Sequence, residues 1–142
     1  MKYLIPILIL ATLFLFQYCK SSKYTPEDYP AKQITFGSGG GFAGTYTHYY
    51  LFDNGQLFTN STADKTYKKL KKVKKAQVTQ IFRNFEVMNM KSYQVNDPGN
   101  MSYYMEFKEK ESSHKIQWGG NNQKLNKNVQ TIYDILMSLT KK

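Results

Sequence analysis

Cys19 is the only cysteine of the 142-residue chain, and it ends an apolar run, Tyr3 to Tyr18, immediately before Lys20-Ser21-Ser22. A thiol in that setting points to acceptance of a lipid on sulfur. Lys2 supplies the charge that precedes the run, while Leu4-Ile5, Ile7 to Ala11 and Leu13 to Phe16 form the apolar region of an export signal. An unpaired cysteine in an exported protein is otherwise oxidised or bridged, and acylation removes that liability. Two other readings of the same run are an uncleaved anchor and an ordinary secretory signal. The run is about 16 residues long and contains Pro6, against the ~17–25 residues of a membrane-spanning helix. No A-x-A-like site precedes the polar segment. All three readings place residues 20–142 outside the cytoplasm.

A second constellation is glycine-rich. Gly39-x-Gly41-x-x-Gly44 matches a dinucleotide-binding spacing in form, but that loop must open a helix whose N-terminus holds the pyrophosphate. Here Thr45-Tyr46-Thr47-His48-Tyr49-Tyr50 follows, which is strand-forming, and no Gly-Lys-Ser/Thr is present. No cofactor is expected. Two readings stay open for Gly37 to Gly44: a bulged connection between strands, or a recognition loop. In the latter, Gly39, Gly40, Gly41 and Gly44 let a partner come close and Phe42 serves as the apolar anchor.

The titratable residues converge on nothing. His48 and His114 are far apart in sequence, and a zinc site needs three or four ligands; no metal is expected. Asp53 and Asp97 sit in turn sequences, where such side chains cap backbone. No G-x-S-x-G elbow occurs. Catalysis would require a concave pocket uniting His48 or His114 with a carboxylate, and a non-enzyme is the expectation. The strongest charge feature is Lys68 to Lys75, six lysines in eight residues, in a chain of net charge +10. Lys68, Lys69, Lys71 and Lys72 are candidates for contact with an anionic surface, against the plainer reading of a solvated face with Leu70 and Val73 turned inward. Export argues against nucleic acid as the partner.

Two family resemblances attach to these residues. Leu13-Phe14-Leu15-Phe16-Gln17-Tyr18-Cys19-Lys20-Ser21-Ser22 resembles the N-terminus of lipoproteins of the Bacteroidetes/Flavobacteria group, although Tyr18 is larger than the residue usual before the cysteine. The resemblance covers about a seventh of the chain. It implies a membrane partner through lipid on Cys19 and a place in the cell envelope, at the outer membrane rather than the inner. The second runs through Ile34, Gly40-Gly41-Phe42-Ala43-Gly44 and the strand, turn and helix that follow, and resembles the emfourin family of small inhibitors of thermolysin-like metallopeptidases. It spans roughly half the chain and implies an α+β non-enzyme that blocks a peptidase cleft.

The elements that must position these residues follow from pattern. With residues 1–18 as signal and 19–32 as a lipidated cysteine with a flexible tether, 33–142 is long enough for one domain. Gln33 to Phe36 reads as a short strand ending at Gly37. Phe42 to Phe52 and Gln56 to Thr59 flank Asp53-Asn54-Gly55, a hairpin signal. Thr66 to Val73 fits either a helical turn or an edge strand blunted by lysines. Val78, Ile81, Phe82 and Phe85 make one helical face. Ser102 to Glu109 and His114 to Trp118 read as two strands joined by 110–113, with Trp118 as core at a strand end rather than a ligand platform. Leu125, Val129, Ile132, Tyr133, Leu136 and Leu139 predict a closing helix capped by Asn126. The sum is an α+β fold, an antiparallel sheet of about five or six strands with two helices packed on it.

Overall fold

The computed structural model describes residues 24–122 and 124–141; Cys19 and the export signal lie outside them. The fold is α+β. Strands β1 (Lys32–Gly40), β2 (Thr45–Phe52), β3 (Leu57–Ser61) and β4 (Lys68–Lys69) precede helix α1 (Lys75–Val87). A 3-10 turn (Met90–Ser92), β5 (Met101–Glu109), β6 (Ser112–Trp118) and helix α2 (Lys127–Ser138) complete the chain. The six strands form one sheet in the order β4-β3-β2-β1-β5-β6, with neighbours antiparallel throughout.

Both helices cover the same face. Strand residues alternate sides, so Ile34 and Phe36 of β1, Leu51 of β2, Leu57 of β3, Met105 and Phe107 of β5 and Ile116 of β6 point one way. They meet Val78, Ile81, Phe82 and Phe85 of α1 and Val129, Ile132, Tyr133 and Leu136 of α2. Phe85 stacks on Phe107 with centroids 5.0 Å apart. Trp118 is half-buried against this core, edge-on to Tyr133 at 5.0 Å.

Three expectations need correction. The glycine run is not a loop from Gly37, because β1 continues through Gly39 to Gly40 and only Gly41–Gly44 turn; β2 therefore begins at Thr45 rather than Phe42. The tether does not extend to residue 32: Tyr29 stacks on Phe52 at 3.8 Å, its hydroxyl bonds to the Asp53 carboxylate, and Gln33 Nε2 donates to the Pro26 carbonyl at 3.1 Å. Residues 24–31 thus form a strap over one end of the sheet, held by buried aromatic area that a polar, unperiodic stretch does not advertise. Asp53 accordingly anchors this strap, and the backbone of its turn is capped by Asn54, whose Oδ1 accepts from Gln56 N at 2.9 Å.

The other turn is as its sequence demands. Gly55 adopts φ +90°, and its N–H donates to Phe52 O at 2.9 Å. Thr66 to Val73 resolves as a two-residue edge strand followed by extended chain, with Val73 buried and Leu70 packed on the core. The β5–β6 connection is shorter than expected, only Lys110 and Glu111, with Lys110 in the left-handed region at φ +55°.

Candidate functional site

Two surfaces carry the binding candidates named from the sequence, and the fold adds a third. The first is the β1–β2 turn. Gly41 adopts φ +69° and donates its N–H to Asn100 O at 2.7 Å, while Gly44 adopts φ +60° and donates to Gly41 O at 3.2 Å. These bonds and the paired strands on either side hold the turn, and Phe42 projects from it fully exposed. Met101, also exposed, lies beside it, with its sulfur 3.8 Å from the position a Cβ on Gly41 would take. Gly39 and Gly40 belong to the strand below the turn, where Gly40 lies under the Asn100 carbonyl.

The second surface is the lysine edge. Lys68 and Lys69 form β4, opposite Thr59 and Phe58, and both are exposed. Lys68 pairs with Asp64 at 3.2 Å. The Thr66 hydroxyl and amide, with Lys68, hold that carboxyl down at about 2. Lys71 reaches the Lys141 carbonyl at 2.9 Å, and Lys72 is exposed. Glu27 of the strap accepts from the Tyr67 hydroxyl at 2.9 Å, which sets this edge beside the strap.

The third surface was not anticipated. The sheet face opposite the helices is open, and β1 presents Gly37 and Gly39 on it, between the Tyr46, His48 and Tyr50 side of β2 and the Tyr104 and Glu106 side of β5. A Cβ on Gly37 would stand 2.0 Å from Thr47 O, and one on Gly39 would stand 2.5 Å from Tyr46 Cγ. Gly39 therefore leaves room for the Tyr46 ring against the strand, and Gly37 for the β2 backbone. A cavity of about 410 Å³ opens on this face, lined by Thr35, Tyr46, His48, Tyr104, Lys115 and Gln117 among others. A neighbouring cavity of the same size runs under the strap and shares Tyr50 and Lys108 with it. Gln33 lines this second cavity; it is 5% exposed, and its Oε1 has no hydrogen-bond partner among the described residues.

The histidines sit on opposite faces. His114 Nε2 is 3.1 Å from Tyr93 O on the helix side. His48 Nδ1 bonds with the Tyr104 hydroxyl on the open side. Burial, and secondarily the Lys115 charge, push the His48 pKa down, which favours the neutral ring. Burial pushes the Tyr104 hydroxyl up, so it stays protonated. Glu106 lines the same cavity as His48, but its carboxylate engages Ser113 Oγ at 2.5 Å and Lys108 at 3.8 Å. Asp97 clamps backbone as its turn sequence predicts, though across a longer span: its carboxylate accepts from Asn122 N at 2.9 Å and Asn122 Nδ2 at 2.8 Å. Among the described residues, no three His, Cys, Asp or Glu side chains gather as metal ligands.

The signal that could have found the open face was present in the sequence. Tyr46, His48 and Tyr50 alternate with residues of the other face, beside a strand whose alternate positions are glycine. It was hidden because the glycines read as a loop. No protein-family model matches the sequence, and no curated protein matches it.

Proposed function

We propose that this chain is an envelope lipoprotein, anchored through lipid on Cys19, whose α+β domain binds a partner without transforming it. The observation that carries the reading is Phe42. A large apolar side chain, fully exposed at the tip of a turn braced by Asn100 and by two paired strands, has no folding role. An apolar anchor held rigidly before it meets its partner loses little entropy on docking.

The same observation supports a more specific second reading, inhibition of a thermolysin-like peptidase, because an exposed apolar side chain on a braced turn could enter a cleft. Both readings are tested with one set of proteins. Full-length chain expressed in a bacterial host with an acyl-chain analogue should label, and Cys19→Ala should not; equal labelling of the two removes the anchor. Micromolar wild-type protein should slow a thermolysin-like peptidase, and Phe42→Ala should lose that effect while melting at the parent temperature. Absence of inhibition by the wild type discards the inhibitor reading. Unchanged inhibition by Phe42→Ala moves the recognition element off the turn.

A further inference from the structure

We propose that the open sheet face is a second binding site, distinct from the Phe42 turn, and that it takes a neutral, hydroxyl-rich chain of the oligosaccharide class. The shape comes first. Two cavities of about 410 Å³ follow one another along the open face as a trough, joined at Tyr50 and Lys108. Each falls within the ~300–1,000 Å³ of small-ligand sites, and their succession suits a chain of repeating units rather than one compact molecule.

The lining selects the chemistry. Aromatic rings line the trough from end to end, with Tyr46 and His48 near-parallel, 10° apart in plane at 6.0 Å, and Tyr50 beyond them. Ring faces carry negative potential, and the C–H groups on the face of a pyranose carry partial positive charge, so the two attract while shedding water. The polar groups between the rings are both donors and acceptors: Thr35 and Gln117 in one cavity, and Gln33 with its unpartnered Oε1 in the other. A sugar hydroxyl supplies both complements.

Charge decides against the alternatives. The chain carries +10, yet the cavity under the strap is lined by Glu27 and Glu111 against Lys108 and Lys110, which cancel. The cavity beside it sets Glu106 against Lys108 and Lys115. Lys115 lies over the Tyr104 ring, 5.1 Å from its centroid, and is thereby partly occupied. A site for nucleic acid or a polyanionic glycan concentrates cations along the path of the backbone. Here Lys68, Lys69, Lys71 and Lys72 line neither cavity, and the trough is close to neutral.

The test uses the full-length protein in detergent and three neutral probes: cellotetraose, maltotetraose and chitotetraose. Saturation-transfer NMR and calorimetry should show saturable binding of at least one, with a dissociation constant of about 1 mM or tighter. Tyr46→Ala should weaken it by about tenfold or more, and Phe42→Ala should bind as the parent does, which separates this site from the turn. Should Tyr46→Ala melt early, Lys115→Ala reads the same site from the opposite wall. The His48 imidazole resonances should shift on titration and those of His114 should not. Lack of saturable binding by all three probes overturns the proposal. So does tight, salt-sensitive binding of oligo-dT or heparin fragments that Tyr46→Ala abolishes, and so does oligosaccharide binding unchanged in both trough variants.

Discussion

A methyl group on Gly37 would stand 2.0 Å from the Thr47 carbonyl oxygen, a backbone atom that the β1–β2 pairing holds in place. Glycine at this position answers to close approach, since Gly37 lies in regular strand. On its other side the Gly37 carbonyl accepts from the Tyr133 hydroxyl at 3.1 Å, tying β1 to α2. Next to it stands His48, whose lowered pKa makes it an acid-sensitive point. A histidine whose folded pKa lies below its unfolded value binds fewer protons when folded, so stability is whole above about 6.5 and falls as pH drops through the folded value. The melting temperature of the wild type should therefore decline as pH falls below about 6.5, and His48→Gln should flatten that decline. Equal slopes for the two proteins would assign the decline to other groups.

At the level of elements, the two helices begin differently. Asn126 caps α2 by accepting from Asn128 N at 2.8 Å, satisfying one of the amides that a helix start leaves free. Helix α1 starts at Lys74 with no side-chain cap, and Lys74 and Lys75 stand at the positive end of its dipole. It is held by packing: Val78, Ile81, Phe82 and Phe85 are all buried, and Phe85 lies flat on Phe107. Asn126→Ala should lower unfolding free energy by about 1 kcal/mol, read as an earlier denaturant midpoint at unchanged slope. A shift well below that would mean that α2, like α1, relies on its buried face alone. The sheet edges are managed separately. Lysines blunt β4, while β6 is partly covered by the 95–97 segment, where Gln117 N donates to Val95 O and Asp97 N to Gln117 O, each at 2.9 Å.

The whole molecule changes the outlook for the lysine edge. With residues 24–31 strapped onto the sheet, only five residue steps separate Cys19 from Tyr24, a reach of at most ~18 Å. The edge adjoins the strap through Tyr67 and Glu27. A lipid on Cys19 would keep Tyr24 within that reach of the bilayer, which is shorter than the ~30 Å Debye length of 0.01 M salt. Near an anionic leaflet each lysine adds about 1 kcal/mol. Protein beginning at residue 20, without the lipid, should sediment with anionic vesicles at low salt and release at ~1 M, where screening falls to ~3 Å. Replacing the four lysines with glutamine should weaken sedimentation and leave the fold intact, since all four side chains are exposed. Sedimentation unchanged by the replacement would make the run a solubilising surface only.

The sequence by itself determined the α+β class, the two helical faces, the Asn54-Gly55 hairpin and the cap at Asn126. Each is set by contacts a few residues apart, and period and turn chemistry record such contacts directly. It also signalled a break between two strands near Phe42, but not its bounds, since β1 runs on to Gly40 and β2 begins only at Thr45. What only the tertiary structure decided is pairing. Whether Gly37 to Gly40 is loop or strand depends on β2 and β5 lying on either side, and a glycine has no side chain to announce its neighbours. The strap depends on Tyr29 finding Phe52 and Asp53, over twenty residues away. The alternation of Tyr46, His48 and Tyr50 is written in the chain, but their meeting with Tyr104 across β1 depends on β5 pairing there, which no local spacing encodes.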